Sequence, residues 1–370
     1  MDELLATLQL QKVPKLGNQS IKKLIQTVGS ARGVLEEKSD HLLKIDGFGE
    51  KKIKLLKDKK YRQIAEKELE FLKKNQIRSW LYTNPEYPKN LKECIDGPVV
   101  LFQKGNINLN NTSKIISIVG TRKATRYGID FCNELLEEIA IFNPIIVSGF
   151  AYGIDIAAHK AALNHKLQTV ACLGHGLNHL YPKAHEKYVN HLEQNGGFIT
   201  EFWSTDIFHP KNFLKRNRII AGLSKATLVI ESAERGGSLV TAQIANSYNR
   251  EVMAVPGRTT DPYSKGCNML LKTQQAHVLT SAADLIYHLN WEIPTSKKNH
   301  TPIPLPIQQP DNLTNEEILI FNFLKEKGKT HIDQLALGCG LPSFKVAGLL
   351  VTMELKKGVR QLPGKLFEVG

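Results

Sequence analysis

The 370-residue sequence predicts an α/β protein, a doubly wound and mostly parallel sheet flanked by an N-terminal helical domain and a C-terminal winged helix. Three observations carry this. Apolar runs at 114–119, 144–148, 168–173, 197–201, 226–231 and 251–256 alternate with helix-length stretches. Strands read this way when crossover helices bury both faces of a parallel sheet. Glycine follows almost every run, and the last sixty or so residues read as three helices and a hairpin.

Residues 1–75 form the expected helical domain. Leu16-Gly17-Asn18-Gln19-Ser20-Ile21-Lys22-Lys23-Leu24 aligns with Phe48-Gly49-Glu50-Lys51-Lys52-Ile53-Lys54-Leu55-Leu56, and Gly47 precedes the second copy. The pattern predicts paired helix-hairpin-helix (SAM-like) motifs, in which glycines let backbone N–H groups approach a phosphate. A plain bundle using Gly47 and Gly49 as turn residues fits the same pattern. Asn84-Pro85, Tyr87-Pro88 and Gly97-Pro98 then mark turns, with a short strand expected at 99–102. The sheet domain spans 76–292. Prolines 294, 302, 304, 306 and 310 predict an extended linker over 293–310. In the final domain, 311–370, Thr314 and Glu317 have capping-box spacing, His331 and Pro342-Ser343 open further helices, and Pro363-Gly364 turns the hairpin.

Composition narrows the function. A hydrophobic share of 42% means that most of the chain folds. No apolar run approaches the length of a membrane span, and acids at Asp2 and Glu3 stand where a secretory signal carries lysines. Five scattered cysteines suit the reducing cytosol and form no zinc-ribbon pair. The net charge of +13 favours polyanionic partners. Its distribution is more telling: Lys211, Lys215, Arg216, Arg218 and Lys225 fall in one stretch without an acid. The lysines of residues 50–74 interleave with glutamates, as on a solvated helix face.

In open α/β sheets ligands sit at the carboxyl ends of the strands. Here those ends carry Gly120-Thr121-Arg122-Lys123, Ser148-Gly149 with Gly153, Gly174 and Gly176, Gly236-Gly237-Ser238, and Gly257. Glycine lets the backbone come close, and the following helices present unpaired N–H groups to an anion. A single such loop is an ordinary tight turn; a ring of them beside a basic segment is a phosphate site. The first loop lacks the G-x-G-x-x-G dinucleotide fingerprint, and no Gly-Lys-Ser/Thr occurs. An extended polyanion spread over several strand ends fits better.

At this point the residues resemble the DprA/Smf family, in a core of Rossmann type. The resemblance rests on Ile118-Val119-Gly120-Thr121-Arg122, and on Ser148-Gly149-x-Ala151-x-Gly153-Ile154-Asp155 with Ala158-His159. It continues in Phe213-x-x-Arg216-Asn217-Arg218-Ile219-Ile220-Ala221-Gly222-Leu223-Ser224, Gly237-Ser238-Leu239-x-Thr241-Ala242 and Val255-Pro256-Gly257. Gly236 and Gln275-Ala276 depart from the family's usual Ser and Gly-Ala. The resemblance implies binding and protection of single-stranded DNA without sequence preference, loading of RecA recombinase onto it during natural transformation, and a homodimer formed through the Rossmann-like domain. It implies no catalysis and no cofactor. Lys211, Lys215, Arg216 and Arg218 are then expected to meet phosphates together with Asn217, and Phe213 to meet bases, with few bases gripped because only 7% of residues are aromatic.

Other features invite different readings. His175 and His179 have ligand-like spacing, but no cysteine or carboxylate cluster accompanies them, so no metal is expected. Asp155 and His159 lie one helical turn apart as an acid–base pair might, though capping and packing explain them as well. Glu201 and Glu231 end strands, where catalytic acids often sit. A rival function is cleavage of nucleoside monophosphates, but Glu234-Arg235-Gly236-Gly237-Ser238-Leu239-Val240-Thr241 lacks the proline and the final glutamate of that motif. A third is duplex binding through the winged helix, whose recognition helix carries only Lys345 and Lys356 as basic residues.

Overall fold

Strand β3 (Ile115–Val119) shows how the sequence builds the sheet. Ile116 and Ile118 enter one apolar core, and Ile115 and Val119 the other. The polar exception, Ser117, donates to the Ile220 carbonyl at 2.7 Å and shares a hydrogen bond with Ser224. In the computed structural model, which describes residues 2–292, 312–356, 358–362 and 364–369, β3 lies inside a nine-stranded sheet.

The other strands are β1 (Arg78–Leu81), β2 (Val100–Gly105), β4 (Ile145–Ser148), β5 (Thr169–Cys172), β6 (Gly196–Thr200), β7 (Ala226–Val229), β8 (Glu251–Ala254) and β9 (His277–Val278). Their order is β1-β2-β6-β5-β4-β3-β7-β8-β9. Pairing is parallel from β6 to β9, while β1 and β2 join antiparallel. The apolar runs thus mark the parallel strands. Strands β1 and β9 are additions that form no apolar run: β1 is half exposed, and β9 is only two residues long.

Six helices precede the sheet: α1 (Glu3–Lys12), α2 (Asn18–Val28), α3 (Ala31–Glu36), α4 (Ser39–Leu43), α5 (Glu50–Leu56) and α6 (Lys59–Lys74). The repeated motif places Gly17 and Gly49 at the N-caps of α2 and α5 in the same extended conformation. Lys23 ties the copies together by donating to the Asp46 carbonyl at 2.7 Å. The segment 1–75 does not stand apart from the sheet: one apolar core joins Leu8, Leu24, Ile53 and Leu72 to Leu81, Val100, Phe102 and Trp203. Buried Lys22 reaches the Cys94 carbonyl at 3.0 Å, and Trp203 donates to Gln11. Residues 1–294 therefore form one compact unit.

Short α7 (Lys89–Lys92) leads into β2; α8 (Arg126–Ile139), α9 (Ile154–Asn164) and α10 (Val189–Gln194) alternate with the strands that follow. Next come α11 (Pro210–Leu223), α12 (Gly237–Ser247), α13 (Lys265–Lys272) and α14 (Ala282–His288). Helices α8, α9 and α14 cover one face, and α11, α12 and α13 the other. Strand order reverses between β3 and β7, so a crevice opens at their carboxyl ends.

The expected linker, 293–310, lies outside the described residues. The second unit contains α15 (Asn315–Lys327), β10 (Thr330–His331), α16 (Ile332–Cys339), α17 (Ser343–Leu355), β11 (Val359–Leu362) and β12 (Leu366–Val369). Thr314 and Glu317 form the capping box read from their spacing. The sheet runs β10-β12-β11 over a core of Ile320, Phe321, Leu335, Val346 and Leu350. All five cysteines are free thiols. No single helix among the described residues is long and apolar enough to cross a membrane.

Each unit owns a separate core, so a chain cut after Pro294 should fold. We expect residues 1–294 to give one cooperative melting transition and a native circular-dichroism spectrum. Aggregation or a non-cooperative melt of this fragment contradicts the division.

Candidate nucleic-acid interface

The crevice between β3 and β7 is a cleft of about 270 Å³, lined by Gly120, Thr121, Arg122, Asp155, Phe213, Arg216, Asn217, Gly236, Gly237 and Ser238 among others. Three loops build it. After β3 the chain continues beside the end of β7, where the Thr121 N–H donates to the Glu231 carbonyl at 2.7 Å. After β4 it turns through Gly149 and Gly153 into α9. After β7 it reaches the N-terminus of α12, capped by Gly236.

The second loop requires its glycines. Gly153 has φ +77, and a Cβ there falls 2.1 Å from the Thr121 carbonyl oxygen. At Gly149 a Cβ falls 2.3 Å from Asp155 Oδ2 and 2.7 Å from an Arg216 nitrogen. Between them Phe150 holds φ +77, a conformation that costs a side-chain-bearing residue roughly 1–3 kcal/mol. Packing of its buried ring against His159, His185 and Phe198 offsets that strain.

Arg216 lies beneath the cleft, only 5% exposed. Its Nη1 donates to the Gly149 carbonyl at 2.8 Å and also to the Cys172 carbonyl. Asp155 faces it and accepts the Ala151 N–H at 3.3 Å. Burial pushes the Asp155 carboxyl up, with Arg216 pulling it part of the way back, and burial lowers the Arg216 guanidinium. Arg216 thus serves the cleft as a fixed positive floor. This differs from the exposed phosphate contact expected of it.

Arg218 requires a larger correction. It turns away from the cleft, is buried, and spends its guanidinium on the Glu201 carboxylate and on the Asp96 carbonyl at 2.7 Å. An arginine so paired is a structural link. Glu201 in turn is buried by this pair, with Lys215 4.0 Å away and largely exposed. Glu231 is likewise committed, accepting the Thr125 N–H at 2.9 Å as well as the Thr125 hydroxyl.

Exposed charge at the cleft mouth comes from Arg122, whose guanidinium stands 5.7 Å from the centre of the Phe213 ring. It makes no salt bridge among the described residues. Lys123 on the loop after β3 and Lys211 in the first turn of α11 are exposed as well. Gly237, the first residue of α12, is open on its Cα face. Ser238 is bonded to Ser232 at 2.8 Å, and Asn217 donates to the Gly237 carbonyl at 3.4 Å. Ser148 lies outside the cleft, its buried hydroxyl donating to the Ile118 carbonyl at 2.6 Å.

Sequence reading missed an aromatic cluster. Tyr181 and Phe208 pack on Phe213 with ring centres 5.7 and 5.5 Å from it, and both are partly exposed. Each lies one or two residues before a proline in a loop, a position without periodicity to reveal it. The Asp155–His159 pair is structural: His159 is fully buried and its Nδ1 bonds Thr169 at 2.7 Å. His175 and His179 pack edge to face, their ring centres 6.4 Å apart, and belong to no three-donor cluster among the described residues.

A doubly wound sheet whose switch point carries glycine loops, an exposed arginine and an open helix N-terminus defines an α/β protein of Rossmann-like type, with its cleft at the carboxyl ends of the strands. Comparison with known proteins gives the particular kind. The DNA recombination-mediator protein A family model matches residues 78–290, and the DprA winged helix domain model matches 304–365. The chain belongs to this DprA/Smf family of DNA-processing proteins. It is 38% identical to the DNA processing protein DprA of Bacillus subtilis, over 56% of this chain and 69% of that one. Identity to protein Smf of Escherichia coli is 36%, over 75% and 74% respectively. The X-ray structure of DprA from Streptococcus pneumoniae matches with a TM-score of 0.66 at 30% identity, over 78% of this chain and 98% of that one. DprA from Helicobacter pylori, whose structure concerns its single-stranded DNA binding mode, matches with a TM-score of 0.52 at 29% identity, over 58% and 96%.

The buried histidine under this site makes stability depend on pH. Burial lowers His159 from 6.5 to about 3. The unfolded chain then takes up a proton that the folded chain refuses, so this contribution is complete above the unfolded value and shrinks as pH falls toward the folded one. Near pH 5 the loss from His159 is about 2 kcal/mol. We expect the melting temperature of His159→Asn to fall less steeply than that of the unsubstituted protein between neutral pH and about pH 5. Parallel curves contradict the assignment.

Proposed function

We propose that this protein binds single-stranded DNA without sequence preference in the cleft above Arg216. The observation that carries the reading is Arg122, exposed at the mouth, beside Phe213 and facing the N-terminus of α12. Arginine forks and helix N–H groups meet phosphates, and aromatic faces stack on any base. Neither reads the edge of a base, which fits tolerance of sequence. DNA binding by the Helicobacter pylori relative supports the same assignment. Lys123, Lys211 and Lys215 extend the positive track, while Arg218 is left out of it.

The function is one of binding and not of catalysis. Asp155, the acid lining the cleft, is engaged with Arg216 and the Ala151 N–H. As for the family, we place RecA recombinase downstream as the partner that receives the strand, with the protein acting as a cytoplasmic homodimer in DNA uptake. The winged helix is not assigned to duplex DNA. Lys345 and Lys356 of its third helix pair with Glu316 and Glu317, and that helix exposes Phe344, Val351 and Leu355.

Affinity for an oligo-dT strand, measured by fluorescence anisotropy across a salt series, should fall linearly on logarithmic axes. Affinity that does not change with salt defeats the proposal. Arg122→Ala should weaken binding by about 1–3 kcal/mol and flatten the salt slope by roughly one ion. Its melting temperature should not move, because the side chain is exposed and unpaired within the described residues. A well-folded Arg122→Ala protein with full affinity removes Arg122 from the interface.

A further inference from the structure

At the far edge of the large sheet, Glu251, His277 and His288 bring one ligand atom each to within 4.8 Å of one another. Local structure dictates the meeting. In the parallel β8–β9 ladder His277 is paired with Met253, and Glu251 lies two residues before Met253 on the same face. His277 Nε2 is 3.4 Å from Glu251 Oε2. Helix α14 starts at a capping box of Ser281 and Asp284 and ends on His288, whose ring lies over that of His277 with centres 4.2 Å apart. Glu251 and His277 also line a recess of about 320 Å³.

We propose that Glu251, His277 and His288 form a site for a zinc-class divalent transition metal, at the edge of the sheet and independent of the DNA cleft. Two imidazole nitrogens and one carboxylate oxygen form the ligand set of an open tetrahedral zinc site, with water in the fourth position. Bonds of about 2.0–2.1 Å place tetrahedral ligand atoms roughly 3.4 Å apart. The Glu251–His277 spacing meets this already, and His288 closes the set by a small side-chain rotation at the surface. Bound metal ties the two-residue edge strand β9 to β8 and to the end of α14.

The test uses the full-length protein, stripped of metal by a chelator and titrated with Zn²⁺ in a calorimeter. Co²⁺ is added in parallel for its visible absorption in tetrahedral sites. We expect one site of micromolar or better affinity and an intense Co²⁺ band. His277→Ala and His288→Ala should each weaken Zn²⁺ binding by about ten-fold or more and abolish the band. His41→Ala, which removes an exposed imidazole elsewhere, should change neither. Equal melting temperatures in chelator show that the variants fold alike. A Zn²⁺ isotherm unchanged in the double variant, or no binding tighter than about a millimolar by the unsubstituted protein, overturns the proposal.

Discussion

A buried guanidinium holds the cleft together. Arg216 enters the interior from α11 and bridges the ends of β4 and β5 through the Gly149 and Cys172 carbonyls. Removing one partner of a buried charge is costly, on the order of 3–5 kcal/mol, because the remaining groups are left without compensation. Three features follow from this one side chain. Residue 149 must be glycine for the guanidinium and Asp155 to fit. The first turn of α9 must carry the acid. Phe213, one turn before Arg216 on α11, is brought over the cleft under Arg122, with the Arg216 guanidinium 6.0 Å from its ring centre.

Much of this architecture was legible in the sequence. Continuous apolar runs gave the parallel strands because such strands are buried on both faces, and glycines gave the loops because close backbone approach leaves few alternatives. Strands β1 and β9 escaped notice. The first is half exposed, and the second is two residues long and held by its neighbour. That residues 1–75 share a core with the sheet was not legible, because a helical repeat reads alike whether its apolar face meets another helix or the edge of a sheet. Here Trp203 and Phe102 complete that face.

Charge was the least legible property. The stretch from 210 to 225 reads as a continuous basic patch, yet on α11 its members diverge. Lys211 and Lys215 look outward, while Arg216 and Arg218 look inward to carbonyls and to Glu201. The acids that neutralise the inward pair, Asp155 and Glu201, lie outside that stretch. These pairs cancel within the net charge of +13, so the number of basic residues in the stretch overstates what its surface offers to a polyanion. The exposed aromatics were hidden for a related reason: Tyr181 and Phe208 converge on Phe213 only through the fold.

The left-handed Phe150, wedged between two obligate glycines and locked by surrounding rings, has a consequence for the kinetics of binding. A floor already held in its working shape has little conformational freedom left to lose when a strand arrives. For a strand bound as proposed, encounter then resembles landing on a rigid surface, with long-range attraction governing the approach and the proposed contacts at Arg122 and Phe213 governing the dwell time. A protein built this way can take up strands quickly wherever they appear and still release each one on a schedule set by a few side chains at the rim.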